Sequence, residues 1–230
     1  MKSAFVSLLL VLGVTGASAL FHGCATEQAA AEDPAALYKD AEDEINSDHF
    51  LIALEKLKAI KNKYPYSKYA TDAQLRIADV YYLQESYPEA AAAYETFRDL
   101  HPKHEKVPYA MFRIAKSYYQ DMPDPIARDM TPAQKALDAY NDFLRRFPTA
   151  PEAAEAKKDV DGIRAQLAEK ELYIGNFYYK RDFYLSAKGR YEKIVDLYAD
   201  TPSAQEAKEK LAKIDGMNIP SPRVEEKTAE

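Results

Sequence analysis

Glycine is the first scarcity. The 230-residue chain holds seven, and three of them (Gly13, Gly16, Gly23) precede its only cysteine, Cys24. Only Gly162, Gly175, Gly189 and Gly216 remain downstream, which excludes glycine-rich phosphate loops and β-barrels built on many tight turns. One cysteine and four histidines exclude an internal disulfide and a cysteine-based zinc cluster. Positive charge is also short. The formal net charge is −6, and binding nucleic acid as the main business needs a surplus of Lys and Arg on one face to neutralise phosphates. No Walker loop, Gly-x-Ser-x-Gly or His-Glu-x-x-His occurs, and the acidic residues are spread along helix faces, where solvated charge is the default. His101-Pro102-Lys103-His104 offers two rings, but the proline breaks the helical spacing that would aim both at one ion, so the segment reads as a turn. No catalytic residue, metal or cofactor is expected.

What is present points to helices. The chain is 47% apolar and 30% charged with alanine as the commonest apolar type, a soluble all-α profile. Residues 1–23 read as a secretory signal, with Lys2 at its start and an uncharged, mostly apolar run from Ala4 to Leu20. Two processing sites compete. Ala17-Ser18-Ala19 fits an ordinary signal-peptidase site, whereas Leu20-Phe21-His22-Gly23-Cys24 resembles a bacterial lipobox, with Phe21 and His22 as departures from it. A lone cysteine directly after such a run and before a polar tether, residues 24–33, favours lipidation at Cys24. Two or more acyl chains would hold the chain at a membrane surface, and Ala25 in the next position leans towards the outer membrane.

The body repeats itself. Ala73-Gln74-Leu75-Arg76-Ile77-Ala78-Asp79-Val80-Tyr81-Tyr82 is matched 37 residues later by Ala110-Met111-Phe112-Arg113-Ile114-Ala115-Lys116-Ser117-Tyr118-Tyr119. The same offset relates Tyr64-Pro65 to His101-Pro102 and Ala41 to Ala78. Small residues recur at two fixed points, Ala41, Ala78, Ala115 and Gly175 on a first helix and Ala53, Ala90, Ala136 and Ala187 on a second. They let paired helices approach closely, while apolar residues at three- and four-residue steps make a stripe that only stacking can bury. This grammar resembles tetratricopeptide repeats and predicts a solenoid of about four helix hairpins plus a C-terminal capping helix. The expected layout is repeats 1 to 3 over 34–148, with a loop insertion at 121–131, then a long helix, repeat 4 and the cap over 149–216, and a polar tail over 217–230. The stretch from Glu152 to Lys180 has no proline and predicts one extended helix, and Gly216 is the expected stop of the last one.

Eighteen tyrosines make a heavy aromatic load, several of them in pairs such as Tyr81-Tyr82 and Tyr118-Tyr119. Adjacent helical residues point about 100° apart, so one of each pair fills the stack and the other looks elsewhere. In the tetratricopeptide register Tyr82 and Tyr119 fall on the concave face with Tyr38, Leu75, Tyr109, Phe112 and Lys116. That lining suits an extended peptide with aromatic or aliphatic side chains.

Several segments resemble the BamD/ComL family of lipoproteins of the outer-membrane β-barrel assembly machinery. They are the candidate lipobox, Tyr64-Pro65-Tyr66-Ser67-Lys68-Tyr69-Ala70, Phe97 to His104, Arg128-Asp129-Met130-Thr131, and Leu167 to Ile174 with Arg190-Tyr191-Glu192. The resemblance implies an outer-membrane adaptor facing the periplasm. Its N-terminal repeats would receive unfolded outer-membrane protein segments, and its C-terminal repeats would dock the periplasmic domains of the barrel subunit, with Arg190 at the position of a family docking arginine. Accessory lipoproteins stay open as further partners. A second reading is a periplasmic tetratricopeptide scaffold coordinating cell-envelope or division proteins, although the amino-terminal coiled coil of that group is absent. A third, an envelope hydrolase using acidic pairs, lacks an organised site.

Overall fold

Small residues at fixed register become points of helix contact. The computed structural model describes residues 33–124 and 129–217. Among the described residues there are nine α-helices and no strand: α1 (Pro34–Asn46), α2 (Phe50–Lys63), α3 (Lys68–Leu83), α4 (Tyr87–Leu100), α5 (Val107–Gln120), α6 (Thr131–Arg146), α7 (Ala153–Tyr179), α8 (Tyr184–Leu197) and α9 (Pro202–Asp215). Each packs on the next, so α1/α2, α3/α4, α5/α6 and α7/α8 are helical hairpins and α9 covers the end of α8. Ala41, Ala78 and Ala115 on the first helices and Ala53, Ala90, Ala136 and Ala187 on the second are all 0% exposed. Each second-helix alanine is followed at the same spacing by a large, equally buried pair: Leu57 and Ile60, Tyr94 and Phe97, Tyr140 and Phe143, Tyr191 and Ile194. Burying one such side chain contributes about 1.5–3 kcal/mol, and only the neighbouring hairpin supplies the cover. The fold is a tetratricopeptide-type solenoid.

One small position cannot be alanine. A Cβ added to Gly175 on α7 would stand 2.6 Å from Cε1 of Tyr191, whose ring lies flat against the bare backbone. Gly162 on the same helix is different, since a Cβ there would meet only the Tyr119 hydroxyl, at 4.0 Å. α7 runs 27 residues without a break, about 40 Å at the rise of an α-helix, and occupies the proline-free stretch.

The hairpin turns use acidic residues where glycine would be usual. Asp48, Glu85 and Asp182 have φ of 58°, 58° and 63°, and no described glycine is left-handed. Each turn closes with a paired backbone motif: the amide of His49, Ser86 or Phe183 donates to the carbonyl of Glu44, Tyr81 or Tyr178 at 2.9, 3.0 and 3.1 Å. This satisfies the last carbonyls of the first helix and reverses the chain within a few residues. Gly216 is the stop of α9, as expected, but by another route. It follows α9 with right-handed backbone, φ −79°, so its freedom is not used.

Second helices stop one way throughout. Tyr64, His101, Phe147 and Tyr198 cap α2, α4, α6 and α8 with φ of −128°, −126°, −133° and −132°, each amide returning to a carbonyl four residues back. Three of these caps are followed by proline and the fourth by Ala199, so the aromatic cap ends the helix without it. First helices touch first helices, α1 with α3, α5 with α7 and α7 with α9, and so line the inner side of the stack. The expected signal at 1–23, lipidation at Cys24, the tether up to residue 32, residues 125–128 of the insertion and the tail after Met217 lie outside the described residues.

Candidate functional site

Second-helix tyrosines carry a hydroxyl into the core, and a buried phenol needs an acceptor. Tyr94 donates to Asp79 Oδ1 at 2.5 Å, Tyr140 to Asp159 Oδ2 at 2.7 Å, and Tyr191 to Asn176 Oδ1 at 2.8 Å. The acceptors stand on first helices, so each bond ties a second helix to the inner layer. In the first hairpin the equivalent position is Leu57, which needs none.

Around Asp79 the bonds become a cluster. Tyr109 also donates to Oδ1, at 2.8 Å, and Arg76 reaches Oδ2 at 3.4 Å while gripping Glu42 of α1 through two 2.8 Å hydrogen bonds. Burial, and then the charge of Asp79, pushes the Tyr109 phenol up to about 12. The same two causes hold Tyr94 well above the ordinary tyrosine value. Arg113, one repeat beyond Arg76, donates from Nε to the Tyr94 hydroxyl oxygen at 3.3 Å. Its guanidinium lies 3.8 Å over the ring of Tyr82 and 5.7 Å from that of Tyr109, within cation–π range. Further along, Lys116 bridges Asp159 at 2.7 Å and Glu155 at 2.8 Å and sits 5.0 Å over the Tyr119 ring. Burial opposes its charge, but the two carboxylates outweigh it and hold its pKa above the ordinary lysine value.

The structure thus places the expected groove residues in three settings. Tyr82 and Tyr109 meet through Arg113 between α3 and α5, and Lys116 and Tyr119 follow toward α7. Tyr38 stands apart, its ring 5.7 Å from Tyr69, and Leu75 is half-buried against the Tyr94–Phe97 cluster. Phe112 is a correction. It is 5% exposed and its ring packs on Tyr140 and Phe143 at 6.0 and 5.7 Å, because at its place on α5 it faces the second helix of its own hairpin. It is core and lines no groove. The paired tyrosines divide by direction: Tyr118 donates to Glu95 of α4 and Tyr81 lies under Lys58 of α2, while Tyr82 and Tyr119 turn to the next first helix. Arg113 and Asp79 were missed as site residues. The signal for them was the recurrence of buried tyrosine at a position where Leu57 also serves, since each such hydroxyl requires a polar acceptor nearby.

Arg190 pairs across its hairpin. Its Nη1 meets Oε2 of Glu171 on α7 at 2.9 Å, and Lys193 takes Oε1 at 2.5 Å. Glu171 is buried, yet these two cations overcome that burial and keep its carboxyl below the usual range. Along α7, α8 and the turn between them Tyr173, Phe177, Phe183, Leu185 and Leu197 are exposed apolar side chains, and Arg181 stacks 3.7 Å over Phe177. No helix among the described residues is long and apolar enough to cross a membrane.

With this geometry in view, comparison with known proteins gives one consistent answer. Residues 30–217 match the family YfiO, described as outer membrane lipoprotein. The chain belongs to the YfiO family. It is 28% identical over 208 residues to the outer membrane protein assembly factor BamD of Vibrio cholerae, covering 86% of both chains. It is 30% identical over 183 residues to the factor of the same name in Neisseria meningitidis, covering 74% of this chain and 67% of that one. Among solved structures, a tetratricopeptide repeat protein from Parabacteroides merdae aligns over 80% of this chain and 60% of its own with a TM-score of 0.41 and 19% identity. The matched YfiO region spans all nine described helices.

Proposed function

We propose that the chain is a lipid-tethered adaptor in the assembly and insertion of β-barrel proteins at the periplasmic face of the outer membrane. The N-terminal repeats receive an extended segment of an unfolded barrel protein. The C-terminal repeats, with Arg190, dock the periplasmic domains of the barrel subunit. One observation carries the reading: a chain whose relatives are named outer membrane protein assembly factors holds half-buried tyrosines between successive first helices, where rigid amphipathic rings suit an extended peptide. The exposed apolar side chains of α7 and α8 suit a second, larger protein surface. Cys24, acylated, supplies the tether, since stable anchoring takes more than one acyl chain. Binding and positioning suffice for this task, and no residue is assigned a catalytic step.

Co-purification from mild detergent is the test. Recovery of the barrel subunit with the wild-type chain, and its loss with Arg190→Glu, is the expected result. Recovery of division-site proteins alone would contradict it and favour an envelope scaffold. Cys24→Ala should move the protein to the soluble periplasmic fraction, and unchanged membrane fractionation would remove the tether.

A further inference from the structure

The repeat lets two arginines be compared at one structural position. Arg76 and Arg113 are separated by one 37-residue unit, yet they meet different partners. Arg76 has Glu42 in the preceding first helix and holds it with two bonds of 2.8 Å, from Nε and Nη2. The residue equivalent to Glu42 one unit on is Asp79, and its oxygens are already taken. Oδ1 accepts from Tyr94 and Tyr109, and Oδ2 from Arg76. Arg113 is left with a hydroxyl oxygen at its Nε and aromatic faces for the rest. Among the described residues no carboxylate oxygen lies within ion-pair distance, 4.0 Å, of its guanidinium. Other cations of the stack are matched: Lys116 on α5 by Asp159 and Glu155, and Arg190 and Lys193 on α8 by Glu171.

A guanidinium is planar, always charged and built to bind carboxylate in a two-point fork. Tyr82 lies 3.8 Å from the guanidinium and Nε bonds Tyr94, which leaves the Nη1–Nη2 edge of Arg113 as the fork. The phenol hydroxyls of Tyr94 and Tyr109 are committed to Asp79, so the guanidinium is the charged donor this part of the site can offer.

We propose that Arg113 is a specificity-determining residue that receives a carboxylate of the bound peptide, with the adjacent peptide side chain lying along Tyr82 and Tyr119. This rests on the groove reading above. The carboxylate can be a chain terminus or an Asp or Glu side chain, and the chemistry is the same.

The test titrates the full mature chain with a ten-residue peptide of alternating apolar and polar residues, free of Asp and Glu, ending in phenylalanine with a free carboxylate. Its C-terminally amidated twin and an amidated version carrying one internal Asp are titrated alongside. The wild type should prefer at least one carboxylate-bearing peptide over the plain amide by about tenfold, the size of a lost charge-assisted pair. Preference for the free terminus, or for the internal Asp, names the source. Arg113→Gln should abolish that preference, so that the three peptides bind with one affinity, and Arg113→Lys should restore only part of it; circular dichroism checks that both variants are folded. Equal affinity for all three peptides in the wild type, or an equal loss for all in Arg113→Gln, overturns the assignment and leaves the groove standing. Failure of every peptide to bind overturns both.

Discussion

The α3–α5 region and the α7–α8 region are built from the same repeat, yet they spend their buried carboxylates in opposite ways. Asp79 is occupied by two phenol hydroxyls and one distant arginine, so a second guanidinium is left to lie on aromatic faces. Glu171 takes both nearby cations, Arg190 and Lys193, and exposed apolar side chains stand elsewhere on the same two helices. One region ends with an unmatched charge among rings and the other with charges matched across its hairpin. A repeat fold fixes where side chains stand, and small exchanges at equivalent positions decide which chemistry each turn of the stack can offer.

That contrast can be broken first at Asp79. Asp79→Ala strands the hydroxyls of Tyr94 and Tyr109 in a buried site, and we expect a loss of about 3 kcal/mol in chemical denaturation; Asp79→Asn, which keeps an acceptor, should lose clearly less. A loss under about 1 kcal/mol for the alanine variant would mean the hydroxyls find other partners. Next comes Gly175→Ala, which drives a methyl group into the Tyr191 ring and should cost roughly 2 kcal/mol through overpacking. Thermal unfolding would show this as a lowered midpoint, and an unchanged midpoint would show that the ring can move aside.

Smaller and dependent on pH is Glu171→Gln, at about 1 kcal/mol, since Arg190 and Lys193 are partly exposed to solvent. Because the folded protein holds the Glu171 carboxyl below its ordinary value, its contribution is whole above the unfolded value of 4.5 and is lost as pH falls below that. Hydrogen exchange at acid pH should therefore loosen α7–α8 in the wild type, and the glutamine variant should show little further change with pH. Tyr109 has the opposite sign. Its phenol is raised from 10.0 to about 12, so its contribution is whole below pH 10 and disappears as pH rises toward 12, a loss visible as a falling unfolding midpoint in alkaline buffer. The smallest effect is a gain. Gly162→Ala adds a methyl group where no tight contact awaits and should raise stability by about 0.5–1 kcal/mol, in contrast to the same change at Gly175.

How much of this was legible in the residues follows from what repeats. Ala78 and Ala115 recur with their neighbours at one offset, so the hairpins, the capping helix and the long α7 could be read from spacing and from the positions of proline. Phe112 could not be placed in the same way. It is equivalent to half-buried Leu75, which also packs against a Tyr–Phe pair, and its larger ring takes it into the core. Left-handed turn residues were hidden because none of Asp48, Glu85 and Asp182 is glycine, and aspartate, which tolerates that backbone, also occurs throughout the helices. Arg113 was hidden for a different reason: its isolation depends on Asp79 being occupied by Tyr94 and Tyr109, a three-dimensional coincidence that no pairwise spacing reports.

The central claim is that rings between the first helices seat an extended peptide. Titrating a fluorescent peptide from the terminal strand of an outer-membrane β-barrel protein into wild type and into Tyr82→Ala/Tyr119→Ala tests it directly. The affinity of the double variant should fall by tenfold or more, on the order of 1–3 kcal/mol per ring removed from an aromatic contact, with its helical circular dichroism intact. Equal affinity in the two proteins would contradict the account.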